Sequence, residues 1–413
     1  MSAKWTVMVY MAGNNSLSDA AGDDLKELEK VGSNDDVKAC VFVKQADGGG
    51  AKRMIVGKGG DHELEEDLGD VDSGDPQTVV DFVRWAAEKA PAERRALVLW
   101  NHGGGWRPSD LDPIHSQVRG ETPPRVRHGE VNHQANQPIA RVLFKPTLRK
   151  IAEQPSRGER EICSDDGTGH SLDTIELGRL CAKLCEDAGA PLDLLGMDAC
   201  LMSNLEVAYQ VRDDVTNIVG SEELEPGAGW PYTEIVRGLQ KNAGADGAEL
   251  ARLVVERYVD SYRDAQDVWP VTQCAIATAD IETIADPLDE LSTRLRDELK
   301  QGWPELMSAQ SKAVRFELDL LDLGSLCAGL AKGQVPDAVK QAAEGVSEAL
   351  KPNGYVLAEG HLGDKVDAAT GISVYFPAPT DPVSKYYKDL AFAKQHKWDE
   401  LLRGYAQAVR SGP

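Results

Sequence analysis

Residues 194–209 read LLGMDACLMSNLEVAY, and this stretch indicates the fold class. The mostly apolar run at 192–198 does not alternate with polar residues, which is typical of a strand covered on both faces of a sheet. Residues 201–211 have helical spacing and predict a helix directly after that strand. Cys200 stands at the junction, at the N-terminus of the predicted helix.

The same order of strand and helix recurs along the chain. Before residue 190 the other predicted elements are, in chain order, 5–11, a helix through Leu25, Leu28 and Val31, then 37–44, 53–56, 76–89, 96–100 and 174–188. Ser16 or Ser18 is the candidate N-cap of the helix that follows 5–11. Strands that alternate with helices predict an α/β fold with a mostly parallel sheet. Residues 241–413 are predicted to be largely helical, with a strand at 274–278 and a late core strand at 371–377, GISVYFP.

The composition excludes several classes of protein. The chain has 413 residues, of which 41% are hydrophobic and 27% charged, so extensive disorder is excluded. Acidic residues outnumber basic ones by 68 to 45, and the net charge of −23 disfavours nucleic acid and anionic membranes as partners.

The N-terminus and the cysteines bear on the compartment. The apolar run at 5–12 is much shorter than the roughly 20 residues that span a bilayer, and it lacks the features of a signal peptide. Seven cysteines, an odd number without a disulfide framework, favour a reducing compartment. We therefore expect a cytoplasmic protein.

Two strand ends carry residues suited to thiol chemistry. One holds Cys200, and the other is LVLWNHGGGW (97–106), where His102 follows an apolar strand and precedes three glycines. In open α/β sheets, sites form at the carboxyl ends of strands, so both residues are expected at one edge. A helix N-terminus lowers the pKa of a thiol, a histidine exchanges protons with it, and glycine N–H groups approach a developing oxyanion. The sequence therefore predicts a cysteine protease.

Several stretches of the chain resemble the clostripain family of cysteine peptidases, relatives of caspases, gingipains and legumains. In family order they are TVMVYMAGNNSL (6–17), LVLWNHGGGW (97–106), ICSDDGTGHSLDTIEL (162–177), LLGMDACLMSNLEVAY (194–209), VGSEELEPGAGWPY (219–232) and GISVYFP (371–377). The resemblance implies a caspase–hemoglobinase fold, an α/β/α sandwich with a mostly parallel central sheet. It predicts a catalytic core made of residues 1–106 and 161–240.

The resemblance also implies a role for each matching residue. Cys200 would be the nucleophile and His102 the catalytic base or acid. The N–H groups of Gly103 and Cys200 would form the oxyanion hole. The family cleaves after Arg or Lys, and it places an acidic residue two positions before the cysteine in the S1 pocket. In this sequence that residue is Asp198.

Specificity for basic residues also follows from the residues themselves. Asp198 and Cys200 are two positions apart, so on a strand they face the same side. A carboxylate beside a guanidinium forms a bidentate, charge-assisted pair, which favours Arg over Lys at P1, the residue before the scissile bond. Glu222, Glu223, Glu225 and Trp230 are on the loop that, by the resemblance, lines the substrate cleft. A solvated turn is the alternative for the three glutamates, and simple packing is the alternative for Trp230.

Two other functions fit parts of the pattern. An HGGG sequence also forms the oxyanion loop of lipase- and esterase-type α/β-hydrolases, but these need a G-x-S-x-G nucleophile elbow that the chain lacks. A catalytically silent, caspase-like scaffold that binds basic peptides is the second alternative. The presence of both His102 and Cys200 argues against it.

Residues 107–160 interrupt the α/β pattern. They contain eight arginines, two lysines and six acidic residues, and a disordered insertion is one interpretation. His102 and Cys200 are 98 positions apart, and the separation would be 44 positions if the 54 residues of this segment were removed. Caspase-type proteins have roughly 50.

This segment is also a candidate control element. It concentrates basic residues, and the expected specificity is for basic residues. We therefore expect a zymogen that is activated by cleavage here, either by itself or by another protease. The candidate processing sites are Arg107, Arg119, Arg125, Arg127, Arg141, Arg149, Arg157 and Arg160.

Cofactors and partners follow from the same argument. The chemistry requires no cofactor, but the resemblance raises calcium as a candidate. Asp165 and Asp166 would supply only part of the six to eight oxygens that calcium takes. The expected partners are peptide or protein substrates with Arg or Lys at P1, and an upstream activating protease.

Overall fold

A computed structural model describes residues 2–46, 48–103, 105–106, 172–264, 270–317, 319–352 and 354–411. The eight candidate processing arginines and both aspartates of the calcium hypothesis lie outside these residues. Those predictions therefore stay predictions.

Strands and helices alternate through the first half of the chain, as the sequence predicts. The strands are β1 (Ala3–Gly13), β2 (Val37–Gln45), β3 (Ala51–Ile55), β4 (Leu64–Gly69), β5 (Ala92–Trp100), β6 (Leu194–Asp198), β7 (Asn217–Gly220), β8 (Val271–Ala277), β9 (Leu320–Asp322), β10 (Val356–Leu362) and β11 (Ser373–Tyr375). The helices are α1 (Ser18–Val31), α2 (Pro76–Lys89), α3 (Thr174–Ala188), α4 (Leu205–Val211), α5 (Tyr232–Lys241), α6 (Gly247–Arg263), α7 (Glu282–Lys312), α8 (Leu323–Lys332), α9 (Asp337–Ala349), α10 (Ala391–Gln395) and α11 (Trp398–Ser411).

Nine strands form one sheet, in the order β10-β8-β7-β6-β5-β1-β2-β3-β4. The five central strands, from β7 to β2, run parallel, and the two strands on each side of them pair antiparallel. Parallel strands need a crossover connection, usually a helix, and this accounts for the alternation in the sequence. The predicted α/β class is confirmed.

The sheet is covered by helices on both faces. Along β1, Met8 and Tyr10 belong to one hydrophobic cluster, whereas Val7 and Val9 belong to the other. The first cluster includes side chains of α2, α3 and α4, and the second includes those of α1, α5 and α6. Two-sided burial explains why the strands read as continuous apolar runs. The expected α/β/α sandwich is therefore present.

The part after residue 240 contributes two strands to the large sheet, and the sequence predicts one of them. β8 was expected at 274–278 and β10 was not predicted; together they form one end of the nine-stranded sheet. The late strand expected at 371–377 is shorter, Ser373–Tyr375, and pairs antiparallel with β9 in a separate two-stranded sheet. β11 is buried, as expected for a core strand. It packs beside the turn that contains Ser203, and the carbonyl oxygen of Ser203 accepts the N–H of Ser373. Within the described residues, no helix combines the length and the apolar character needed to cross a bilayer.

Candidate active site

Three neighbouring strands end level at one edge of the sheet. In the register of the parallel ladders, Trp100 of β5 pairs with Met11 of β1 on one side and with Asp198 of β6 on the other. His102 follows β5 by two residues, and Cys200 follows β6 by two residues. The expectation that both lie at the carboxyl edge of the sheet is therefore correct.

The two motifs touch through their backbones. A Cβ atom built on Gly103 would be 2.0 Å from the carbonyl oxygen of Cys200 and 2.7 Å from its nitrogen. No side chain fits there, so only glycine allows the chain after His102 to pass at this distance. The contact brings the predicted nucleophile and the predicted base to the same place. Whether the Gly103 N–H serves an oxyanion hole stays a prediction.

The predicted helix after Cys200 begins later than expected. Cys200 lies in a turn, Leu201 has a φ of 62°, and α4 begins at Leu205. Asn204 is the N-cap, and its side chain accepts the N–H of Val207 at 2.9 Å. The helix predicted over 201–211 forms only over Leu205–Val211. The prediction that Cys200 stands at the N-terminus of a helix is therefore wrong.

A backbone hydrogen bond acts on the cysteine instead. The Cys200 side chain is fully buried, and its Sγ accepts the N–H of Glu225 at 3.1 Å. The carbonyl oxygen of Glu225 lies 4.0 Å from the same sulfur and accepts from the thiol, so the backbone of Glu225 offers both a donor and an acceptor to Cys200.

His102 is buried as well, with 3% of its surface exposed. Its Nε2 is 3.0 Å from the hydroxyl oxygen of Ser16, and its backbone N–H donates to Oδ1 of Asn101 at 2.6 Å. The sequence favours Ser16 or Ser18 as the cap of α1, but the residue at the N-cap is Leu17, without a side-chain cap bond. Ser16 instead faces the histidine.

Asp198 is the last residue of β6 and is fully buried. Its Oδ2 accepts the hydroxyl of Tyr232 at 2.8 Å and the N–H of Trp230 at 3.4 Å. β6 ends at Asp198, so Cys200 is not part of the strand, and the expectation that the two residues share one face of a strand is wrong. Asp198 nevertheless lies two residues from Cys200, at the same sheet edge.

A second carboxylate, one of the three glutamates of the expected cleft loop, is buried in this region. Glu225 is fully buried, and its Oε1 accepts Nε2 of Gln273 at 3.2 Å and Nε1 of Trp230 at 3.5 Å. Burial, Glu225 and Asp198 all contribute to raising the pKa of Tyr258. Three glutamates stand within four positions of the sequence, and nothing in the sequence told which of them turns inward.

The two other glutamates of this stretch are engaged elsewhere. Oε2 of Glu222 accepts the N–H of Gly371 at 3.0 Å, and burial, with Asp322 beside it, raises the pKa of this carboxyl group. Oε1 of Glu223 accepts the N–H of Leu224, and burial raises the pKa of Glu223 to about 7. Neither glutamate is a solvated surface residue.

Trp230 packs in the core and also borders Asp198. Its ring lies against β6, where a Cβ atom on Gly196 would be 2.8 Å from a ring carbon. The indole is 1% exposed. Trp230 therefore packs in the core and also contacts both Asp198 and Glu225.

Residues 221–231, here called the covering segment, run along the turn that holds the nucleophile. The Ser203 N–H donates to the carbonyl of Ser221 at 2.8 Å, and the Leu201 N–H donates to the carbonyl of Glu223 at 3.3 Å. Together with the bond from Glu225 to the sulfur, these contacts close the covering segment over Cys200.

The chain leaves the described core at Trp106 and returns at Leu172. The hydroxyl of Thr174 donates to the carbonyl of Trp106 at 3.0 Å, so departure and return lie side by side. The described part of the chain contains no group of three or more His, Cys, Asp or Glu placed to hold a metal ion.

Comparison with known proteins agrees with this geometry. The model of the clostripain family matches residues 9–120 and 150–405. The gap between the two matched ranges, 121–149, lies within the 107–160 segment. The chain is 22% identical to clostripain of Hathewaya histolytica over 278 residues, which are 60% of this chain and 44% of that protein. It therefore spans less than half the length of this curated relative.

Solved structures with the same fold include an inactive zymogen of a protease from Parabacteroides distasonis. It is 18% identical, with a TM-score of 0.63, and the match covers 96% of this chain and 99% of that one. A secreted cysteine protease from Bacteroides thetaiotaomicron is 15% identical, with a TM-score of 0.65 and 95% and 99% coverage. A structure from the same organism, bound to an irreversible peptide inhibitor, is 20% identical, with a TM-score of 0.62 and 96% and 100% coverage.

Proposed function

The chain belongs to the clostripain family of cysteine peptidases, and on this premise we propose that it is an endopeptidase that cleaves after Arg, and less readily after Lys. Cys200 is the proposed nucleophile and His102 its proton partner. The observation that carries the proposal is the backbone contact between Gly103 and Cys200, which joins the two motifs at one sheet edge.

The proposed reaction follows from the chemistry of a thiol and an imidazole. His102 takes the proton of the Cys200 thiol, and the thiolate attacks the carbonyl carbon of the scissile peptide. The C–N bond then breaks, and the leaving amine takes the proton from His102. Water, deprotonated by His102, hydrolyses the thioester, and the thiol is regenerated. In this proposal the N–H groups of Gly103 and Cys200 stabilise the oxyanion, which requires them to lie near 3 Å from it.

The buried carboxylates support the specificity for basic residues. The carboxylates of Asp198 and Glu225 both lie between β6 and the covering segment, where their partners include the neutral donors of Tyr232, Trp230 and Gln273. A P1 guanidinium would replace neutral donors by charge-assisted ones, which are roughly twice as strong. Its planar fork suits two carboxylates better than the point charge of a lysine, so Arg is favoured.

The closed covering segment supports a zymogen. Cys200 is fully buried in the intact chain, and a substrate carbonyl has to reach its sulfur. We propose that cleavage within 107–160 relieves this restraint. The two pieces would stay together, because β5 precedes the segment, β6 follows it, and the two strands pair from Ala96 with Leu194 to Trp100 with Asp198.

Hydrolysis of a fluorogenic peptide panel with P1 Arg, Lys, Asp and Leu tests the proposal. Wild type, Cys200→Ala and Asp198→Ala are compared before and after limited trypsin treatment. We expect turnover after nicking, selective for Arg, absent in Cys200→Ala and reduced in Asp198→Ala. Persistent turnover in Cys200→Ala would exclude this mechanism. Binding of Arg peptides by all variants without any turnover would favour the silent scaffold.

A further inference from the structure

The hydroxyl of Ser16 lies at the ring of His102, with Oγ 3.0 Å from Nε2. Ser16 follows β1, and His102 follows β5. The two strands are parallel neighbours, so their carboxyl ends meet at the same edge of the sheet. Three strand ends thus supply Ser16, His102 and Cys200 in spatial order across the sheet.

A buried pair of asparagines fixes this contact. Nδ2 of Asn15 donates to Oδ1 of Asn101 at 3.0 Å, and the same Oδ1 accepts the backbone N–H of His102 at 2.6 Å. Oδ1 of Asn15 accepts the N–H of Leu17 at 2.8 Å, which closes the turn around Ser16. The asparagines are nearly inaccessible to solvent, whereas Ser16 itself is exposed. The buried side chains of Asn15 and Asn101 therefore fix the position of Ser16.

We propose that Ser16 is a positioning residue, which holds the ring of His102 so that Nδ1, and not Nε2, exchanges the proton with Cys200. The proposal rests on the proposed function. A neutral imidazole has one donor and one acceptor nitrogen, and the bond made by one nitrogen sets the state of the other. When Nε2–H donates to the Ser16 hydroxyl, the lone pair is on Nδ1, where it takes the proton of the thiol.

The hydroxyl suits both states of the cycle. Once His102 carries two protons, Nε2–H still donates to the same oxygen, so the ring does not have to turn between the proton-accepting and proton-donating steps. A hydroxyl is neutral, and water can replace part of its effect at an exposed position. Partners of this kind typically change activity by 10- to 100-fold at metal-bound histidines, and we expect the lower end here, about 10-fold.

Kinetics of the processed enzyme provide the first test. We expect kcat to fall about 10-fold in Ser16→Ala with KM unchanged, because the residue acts on the proton transfer and not on substrate binding. Ser16→Thr keeps a hydroxyl and should restore most of the rate. Ser18→Ala is the matched control, since Ser18 bonds to the N–H of Ala46 in the same region. Wild-type kcat in Ser16→Ala, or a loss that Ser16→Thr does not restore, would overturn the proposal.

Nitrogen NMR of ¹⁵N-histidine-labelled protein provides the second test and needs no activity. In a Cys200→Ala background, which prevents self-cleavage, we expect His102 to be the Nε2–H tautomer. Adding Ser16→Ala should give a mixture of tautomers. An Nδ1–H tautomer, or a tautomer that ignores Ser16→Ala, would overturn the proposal. If the tautomer responds but no variant cleaves peptides, the role of Ser16 holds and the proposed peptidase function fails.

Discussion

Gly103 and Cys200 are in backbone contact across the ends of β5 and β6, at a distance that leaves no room for a side chain on residue 103. The contact sets how closely His102 approaches Cys200, because His102 and Gly103 are consecutive. The first prediction concerns this contact.

Gly103→Ala should reduce both stability and turnover. Its methyl group would lie 2.0 Å from the Cys200 carbonyl oxygen, and relief of such a clash typically costs about 1–3 kcal/mol of unfolding free energy. Because the shift moves His102 relative to Cys200, we expect a much larger loss in kcat than in stability. Urea unfolding and peptide turnover measure the two effects. Gly354→Ala, where a Cβ atom meets nothing within 4 Å, is the control.

Asp198→Asn should reduce kcat/KM for P1 Arg peptides by about 100-fold, because loss of one partner of a buried charge pair costs 2–5 kcal/mol. The asparagine keeps an oxygen that accepts the Tyr232 hydroxyl, so we expect the melting temperature to change little. Asp213→Asn, whose side chain is 79% exposed, is the control. An unchanged preference for Arg in Asp198→Asn would show that this carboxylate does not bind P1.

The thiol of Cys200 should react slowly in the intact chain and faster after cleavage within 107–160. Alkylation requires exposure of the sulfur, and Cys200 is fully buried under the covering segment. We expect iodoacetamide to label it at least about 10-fold faster after a cut at a specific protease site inserted in that segment. Mass spectrometry locates the label, and buried Cys327 of α8 is the internal reference. Equal rates before and after cutting would exclude restraint by the covering segment.

Glu206 predicts a pH dependence of stability. It is fully buried on α4, where Oε1 accepts the N–H of Tyr375 and the hydroxyl of Tyr387, and burial raises its pKa to about 7. The folded protein therefore keeps this proton at pH values where the unfolded chain, with a carboxyl pKa near its model value of 4.5, releases it. The contribution of this group to stability is complete below about pH 4.5 and declines as the pH rises through about 7.

Glu206→Gln should remove this decline. A shift from 4.5 to about 7 corresponds to at most about 3 kcal/mol of unfolding free energy. We expect the difference in stability between Glu206→Gln and wild type to move in favour of the glutamine between pH 5 and pH 8. Urea unfolding across that range measures it, with the half-exposed Glu234→Gln as reference. A difference that does not change with pH would contradict the raised pKa.

The sequence was sufficient to predict the strand ends that carry His102 and Cys200. It was not sufficient to predict the turn after Cys200 or the contacts of the covering segment. His102 and Cys200 were predictable because apolar runs mark buried parallel strands, and chain direction then places their ends at one edge. The start of α4 was not, because the apolar spacing of 201–204 serves a buried turn. There Asn204 caps the helix and the carbonyl of Ser203 pairs with Ser373.

Long-range contacts decided the remaining differences. Glu222, Glu223 and Glu225 are chemically alike and close in sequence, and their partners lie at Gly371, Leu224 and Gln273. β10 was missed because an edge strand is covered less completely and lacks a continuous apolar run. Ser16 had a recognisable signal, a Gly-Asn-Asn-Ser turn after a third parallel strand, which was interpreted as a helix cap.

The hydrogen bond between Thr174 and Trp106 has a consequence for how such a protein can change. A loop whose two ends are already held together costs little to lengthen, about 0.6 kcal/mol for each doubling of its length. New recognition sequences can therefore enter the chain between these two residues without disturbing the sheet edge. Under the proposed activation by cleavage, the sequence that the activating protease recognises can therefore change while the sheet edge with His102 and Cys200 stays the same.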